Sequence, residues 1–156
     1  MRILGIDPGF ERLCIAVLEK NTGKECVIFS ECFKTSAKLE FPERLKLIGD
    51  EVRKIIEKYK PEVLAIESLF LNTNQKTVMR VAEARGVVIY EATQAGLKIF
   101  EASPPQIKMA TTGYGRSDKT QINKMVKMLV DLDKNKTSDD ELDAIAIALT
   151  AFAHLR

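Results

Sequence analysis

The stretch Val63-Leu64-Ala65-Ile66-Glu67 decides the fold class, because it places a short apolar strand directly after a helix. That helix opens near Phe41, carries apolar residues at helical spacing through residues 45–59, and is ended by Pro61. An earlier apolar run, residues 2–7, ends at Pro8-Gly9 and has the character of a first strand. A strand–helix–strand crossover favours parallel pairing, so we expect the strand at 63–67 to lie in the interior of a sheet.

The rest of the chain predicts two antiparallel strands, a further parallel strand and several helices. Residues 13–18 and 26–33 read as strands separated by Asn21-Thr22-Gly23, which is a hairpin turn signal. Helices are predicted at 75–94, from Pro104-Pro105, at 119–130 and at 139–154, with a fifth strand at 97–102. This order predicts an α/β fold with a mixed five-stranded sheet, three antiparallel strands then two parallel, flanked by helices. The length suits a single domain over residues 1–156.

The rare residues limit the chemistry available to the chain. His154 is its one histidine and lies near the C-terminus, so a Ser-His-Asp or Cys-His mechanism is not expected. The three cysteines lack CxxC spacing, which argues against a zinc cluster, and Cys14 and Cys26 are predicted to be buried thiols. Carboxylates and lysines are therefore left to carry any catalysis.

The charge and hydropathy patterns predict a globular protein without a membrane segment. With 24 Lys+Arg against 22 Asp+Glu, the formal charge of +2 does not by itself indicate nucleic acid. The longest apolar run, residues 144–153, is too short to span a bilayer. We see no signal peptide at the N-terminus and expect a cytoplasmic location.

Four carboxylates stand where apolar elements meet loops. Asp7 and Glu67 each end a predicted strand, and Asp140 and Asp143 share one face near the start of the last helix. They can converge if the first and fourth strands are neighbours and the last helix crosses them. Clustered carboxylates suit Mg²⁺, and two such ions about 4 Å apart can stabilise both the attacking and the leaving oxygen at a phosphate.

Three of these four acids also have a structural interpretation. Asp7 can begin a turn before Pro8-Gly9, and Glu67 can end a strand at the surface. Asp140 can serve the helix dipole, which favours acids in the first turn, and Asp139 and Glu141 are better explained by it. Ser138 precedes Glu141 by three residues and predicts an N-cap with a capping box at the start of the last helix. Asp143 lies beyond that turn, against an apolar helix face.

Six segments in order resemble the RuvC-type Holliday junction resolvases, the crossover junction endodeoxyribonucleases. They are GIDPG at 5–9, AIESLF at 65–70, EARGV at 83–87, PPQIK at 104–108, GYGRSDKTQ at 113–121 and DELDA at 140–144. The resemblance implies an RNase H-like fold, a homodimer and a Mg²⁺-dependent, structure-specific endonuclease of DNA recombination and repair. It also implies that Asp7, Glu67, Asp140 and Asp143 are the metal-binding catalytic acids.

The resemblance further implies a DNA-binding surface beside these acids. Lys108 and Lys119 match family lysines near the active site, and Phe70 matches an aromatic that stacks on or wedges into bases, unless it is a core residue. The other candidates for DNA contacts are Asn74, Arg116 and Gln121. Residues 104–127 carry five basic residues and one acid, and residues 131–143 carry six acids and two lysines, which suits a phosphate backbone beside a metal site. Ser117 departs from the alanine that is commoner in the family.

The mechanism implied by the resemblance is two-metal hydrolysis, with Mn²⁺ able to replace Mg²⁺, giving 5′-phosphate and 3′-hydroxyl ends. Lys119 would neutralise charge in the transition state. A two-fold dimer would nick symmetrically, and the helix at 75–94 is the candidate interface, with Arg85-Gly86 allowing close approach. The RuvAB branch-migration complex is the expected protein partner. The alternatives are a related nuclease that cuts structured RNA, a homologue that binds junctions without cutting and, less favoured, an actin-like ATP-binding domain.

Overall fold

The computed structural model describes residues 1–20, 23–70, 75–132 and 137–155. The strands are β1 (Arg2–Asp7), β2 (Arg12–Lys20), β3 (Glu25–Lys34), β4 (Val63–Glu67), β5 (Lys98–Ala102) and β6 (Val130–Leu132). The helices are α1 (Phe41–Tyr59), α2 (Gln75–Gln94), α3 (Pro104–Thr112), α4 (Lys119–Leu129) and α5 (Asp139–His154).

The six strands form one sheet in the order β5-β4-β1-β2-β3-β6. β2 is antiparallel to β1 and β3, whereas β4 is parallel to both β1 and β5. The interior, parallel position predicted for β4 is therefore confirmed. The predicted count of five strands is wrong, because β6 pairs in parallel with β3. β6 has only three residues and directly follows α4, so the sequence shows no alternation that would separate it from the helix end.

Apolar side chains cover both faces of the sheet. On one face α5 packs against residues such as Ile3 and Ala16, and on the other α1 and α2 pack against residues such as Leu4 and Ile15. The approach of α5 to β1 depends on Gly5, because a Cβ there would lie 2.3 Å from the carbonyl oxygen of Ala144. This contact brings the acidic first turns of α5 towards the end of β1.

The start of α5 is set by a capping box. The Glu141 amide donates to Ser138 Oγ at 3.2 Å, and the Ser138 amide donates to Glu141 Oε2 at 3.0 Å, as the sequence predicts. Glu141 also accepts a hydrogen bond from Ser30 Oγ at 2.7 Å. The box fixes Asp140 in the first turn of α5 and Asp143 in the next. No helix among the described residues is long and apolar enough to cross a membrane.

The prediction that Cys14 is a thiol is wrong. Cys14 and Cys32 are directly opposed on β2 and β3 and form a disulfide, with their Cα atoms 4.0 Å apart. Cys14 is buried as expected, whereas Cys26 is a free, half-buried cysteine. The pairing follows from the register of β2 against β3, which the spacing of the cysteines along the chain does not reveal.

Candidate active site

Asp7 and Glu67 meet at one edge of the sheet because they are the last residues of two neighbouring parallel strands. Both line a cavity of about 320 Å³, together with Asp143 of α5. Lys108 and Lys119 line the same cavity. The structure thus brings three of the four predicted acids and two of the predicted DNA-binding lysines to one place.

The acids of α5 are held by two cations. Lys119 Nζ donates to Asp143 Oδ2 at 2.9 Å and lies 3.9 Å from Asp140 Oδ1. Arg12 Nη1 lies 2.8 Å from Asp140 Oδ2, so Asp140 joins the cluster from beside the cavity. Arg12 was not predicted from the sequence. Its signal is its position as the first residue of β2, because the antiparallel pairing returns that strand end to Asp7.

Burial and mutual repulsion raise the pKa of two acids. The pKa of Asp7 rises to about 6, first because the carboxyl is buried and then because Asp143 is near, and Lys119 offsets part of this effect. The pKa of Glu67 rises to about 7 for the same leading reason, with Asp7 and Asp143 adding repulsion. The pKa of Lys119 is raised by its hydrogen bond to Asp143. Ionised together, these carboxylates are destabilised by one another.

The carboxylates form an open donor set rather than a closed cage. In the described ranges, no three His, Cys, Asp or Glu side chains are grouped closely enough to hold a metal ion on their own. Mg²⁺ typically binds through one or two carboxylates and keeps several waters, so it needs no closed protein cage. A divalent cation bound between these carboxylates would offset the repulsion between their ionised forms. Carboxylates are also the hard oxygen ligands that Mg²⁺ prefers, so the residues present fit such an ion.

The loop between α3 and α4 positions the basic side of the cavity. The Ser117 side chain is buried, and its hydroxyl donates to the backbone oxygen of Tyr114 at 2.7 Å. Thr112 Oγ1 contacts the same hydroxyl and accepts from the Tyr114 amide at 3.1 Å. This network gives the serine at 117 a role that alanine lacks, and it fixes the loop just before Lys119.

The remaining predicted DNA contacts lie in different environments. Arg116 is exposed in the loop between α3 and α4. Gln121 is exposed and forms a capping box with Asp118, so its side chain already stabilises the start of α4. Phe70 is 55% exposed, which excludes the interpretation of it as a core residue. Asn74 lies outside the described residues.

Relatives of known sequence match nearly the whole chain. The family model for crossover junction endodeoxyribonuclease RuvC matches residues 3–151. The protein of that name from Thermosipho melanesiensis is 45% identical over 148 residues, which cover 95% of this chain and 94% of the relative. The one from Petrotoga mobilis is 44% identical over 154 residues, covering 99% of this chain and 93% of the relative.

Solved structures agree with these matches. T. thermophilus RuvC in complex with a Holliday junction substrate has a TM-score of 0.93 and 30% identity, covering 100% of this chain and 95% of that one. The yeast mitochondrial Holliday junction resolvase, at 16% identity and a TM-score of 0.71 over 95% of this chain and 76% of its own, shows the shared fold alone. The predicted RNase H-like α/β fold is confirmed apart from the strand count. The chain belongs to the RuvC family of crossover junction endodeoxyribonucleases.

Proposed function

We propose that this chain resolves four-way DNA junctions by metal-dependent hydrolysis of phosphodiester bonds. The observation that carries the proposal is the convergence of Asp7, Glu67 and Asp143 in one cavity with Lys119. The choice of substrate is supported by the relatives, which are named crossover junction endodeoxyribonucleases, and by the T. thermophilus RuvC structure, which contains a Holliday junction substrate.

Asp7, Glu67, Asp140 and Asp143 would hold the metal, which we propose to be two Mg²⁺ ions that Mn²⁺ can replace. When bound, such ions neutralise charge at the phosphate and lower the pKa of a water molecule. Asp140 and Asp143 are ion-paired with Arg12 and Lys119, so both carboxylates are already held at a place where positive charge binds.

Lys119 has the position required of an electrostatic stabiliser. Its ammonium lies at the cavity wall beside Asp143, where the phosphate would meet the acids. Charge that develops on the phosphate oxygens in the transition state would be neutralised there. Water attack in line with the leaving 3′-oxygen gives 5′-phosphate and 3′-hydroxyl ends. Lys108 lines the same cavity and would bind a neighbouring phosphate of the DNA backbone.

Phe70 would contact the bases at the crossover. Its ring is more than half exposed, three residues after Glu67, so it can reach DNA bound at the acids. Stacking of a base on an aromatic ring is worth about 1–3 kcal/mol and requires no particular base. Arg116 would add a phosphate contact from the loop between α3 and α4.

We infer that the protein acts as a homodimer through α2. This helix exposes Met79 (64%) and Tyr90 (59%) along with Ala82 and Gly86, which share one face at spacings of three or four residues. A Cβ added at Gly86 would meet no atom within 4 Å, so its surface is open to a second copy. The side chain of Arg85 turns inward instead, so of the pair Arg85-Gly86 only Gly86 would allow close approach. Two sites related by a two-fold axis would nick two strands symmetrically.

The two alternatives that bind nucleic acid predict a different substrate or no reaction. A nuclease for structured RNA would cut RNA at least as fast as junction DNA in a side-by-side assay. A junction-binding homologue without activity would bind and not cut, yet all four acids are present and three of them share the cavity. RuvAB remains the protein partner that the family resemblance implies.

The site assignment is tested by Asp7→Asn, with Asp50→Asn as the control. Asp50 lies on α1 and pairs with Lys46, away from the cavity. We expect Asp7→Asn to abolish nicking of a synthetic four-way junction and to keep junction binding, whereas Asp50→Asn should cut like the unaltered protein. Cleavage by Asp7→Asn would remove this carboxylate from the catalytic site.

A further inference from the structure

Arg85, on α2, reaches the end of β4 with its side chain. Its Nε donates a hydrogen bond to the backbone oxygen of Glu67 at 3.1 Å, and its Nη2 pairs with Glu101 of β5. Only 16% of the Arg85 side chain is exposed. Arg85 therefore joins a helix and two strands at the point where Glu67 enters the cavity.

The end of β4 needs such a contact because the sheet holds it from one side. The β1–β4 pairing ends at Ile6 and Ile66, one residue before Glu67. On the other side Glu67 pairs with Ala102 of β5, and the next amide, Ser68, donates to the Ala102 oxygen at 2.9 Å. On the β1 side the strand pairing ends before Glu67, and the Glu67 carbonyl oxygen accepts a hydrogen bond from Arg85 instead.

We propose that Arg85 is a positioning residue, which holds the end of β4 so that the Glu67 carboxylate stays within reach of a cation shared with Asp7. The inference deepens the proposed function and rests on it. A guanidinium is planar and carries its donors in a fixed fork. With one branch on the Glu67 carbonyl and another on Glu101, its orientation is set from two directions.

A second arginine contact to the same helix provides a matched control. Arg53 of α1 binds Glu91 of α2 through two hydrogen bonds, Nε to Oε2 at 3.0 Å and Nη2 to Oε1 at 2.7 Å. This pair also joins α2 to a neighbouring element, but neither residue lines the cavity. Loss of Arg53 therefore reports what a lost arginine–glutamate contact costs in packing without changing β4.

The test measures cation affinity directly, without DNA. Mn²⁺ binding to the full chain is followed by isothermal titration calorimetry for Arg85→Ala, Arg85→Lys, Glu101→Ala and Arg53→Ala, each checked by thermal unfolding. Loss of a residue that orients a metal ligand costs about tenfold to a hundredfold in metal affinity. We expect an increase of that size in the Mn²⁺ Kd for Arg85→Ala, a smaller one for Glu101→Ala, part recovery in Arg85→Lys, and no change for Arg53→Ala.

The same variants are then assayed for junction cleavage against Mg²⁺ concentration. We expect Arg85→Ala to need more Mg²⁺ for its half-maximal rate and to bind the junction normally in chelator. An unchanged Mn²⁺ Kd in folded Arg85→Ala would overturn the positioning role alone, provided that the unaltered protein binds Mn²⁺ and cuts. If Arg85→Ala does not fold, an unchanged Kd in Glu101→Ala overturns it. An unaltered protein that binds no Mn²⁺ would overturn both this role and the metal dependence.

Discussion

Replacing Asp7 by asparagine should stabilise the metal-free protein at about pH 8 and change its stability little at about pH 4. The carboxyl of Asp7 is buried beside Asp143, and its pKa is raised from 3.8 to about 6. A pKa that is higher in the folded protein than in the unfolded chain means that the folded state binds the proton more tightly. Folding is therefore weakened as the pH rises from about 4 to about 6, and the loss is complete above that window.

The size of this effect follows from the two pKa values. Each pKa unit corresponds to about 1.4 kcal/mol, so ionising Asp7 costs the folded state up to about 3 kcal/mol at about pH 8. Asparagine keeps the shape and carries no charge, so it should recover most of that free energy. The repulsion between Asp7 and Glu67 is removed by the same change.

Urea unfolding in chelator at the two pH values measures the difference in free energy of unfolding between Asp7→Asn and the unaltered protein. Asp50→Asn is the control of opposite sign, because the hydrogen bond from Lys46 lowers the pKa of Asp50 and its charge is favourable at high pH. Adding Mg²⁺ should stabilise the unaltered protein and reduce the advantage of Asp7→Asn. The raised pKa of Asp7 would be wrong if Asp7→Asn were no more stable than the unaltered protein at about pH 8, or if its advantage were as large at about pH 4.

Three further changes test other parts of the account. Lys119→Ala should lower the single-turnover cleavage rate by about tenfold or more, whereas Lys124→Ala, an exposed lysine on the same helix, should not; equal rates would make Lys119 a surface lysine. Gly5→Ala should destabilise the fold by about 3 kcal/mol or more in urea unfolding, because its Cβ meets the backbone of Ala144; a stable variant would contradict the close approach of α5. Ser117→Ala should lower the free energy of unfolding, measured in the same way, by about 1 kcal/mol, because a buried hydrogen bond is lost. An unchanged free energy of unfolding would show that this bond does not stabilise the fold.

The predictions from sequence succeeded where a local pattern decides the structure. The Ser138–Glu141 capping box set the start of α5, and the apolar spacing and Pro61 set the bounds of α1. The position of β4 between β1 and β5 follows from the rule for parallel crossovers, and it brings Glu67 beside Asp7. The convergence of these acids could therefore be predicted before any contact was known.

The features that were missed depend on contacts between distant parts of the chain. Arg12 reaches Asp140 only because β2 returns along β1, and Cys14 meets Cys32 only in one register of β2 against β3. Arg85 lies in a motif that suggested a helix surface, yet its contacts are with Glu67 and β5. Charge and composition do not show which residue such a side chain contacts in the folded protein.

One assay shows whether the protein cuts four-way DNA junctions in a metal-dependent reaction. A synthetic junction is incubated with the unaltered protein in Mg²⁺ and in chelator, with each of the four strands labelled in turn. We predict paired, symmetric nicks in two strands of like polarity, with 5′-phosphate and 3′-hydroxyl ends, and no product in chelator. An intact junction in both Mg²⁺ and Mn²⁺ would show that the protein does not resolve junctions, and cutting that persists with the metal chelated would show that its cleavage needs no metal.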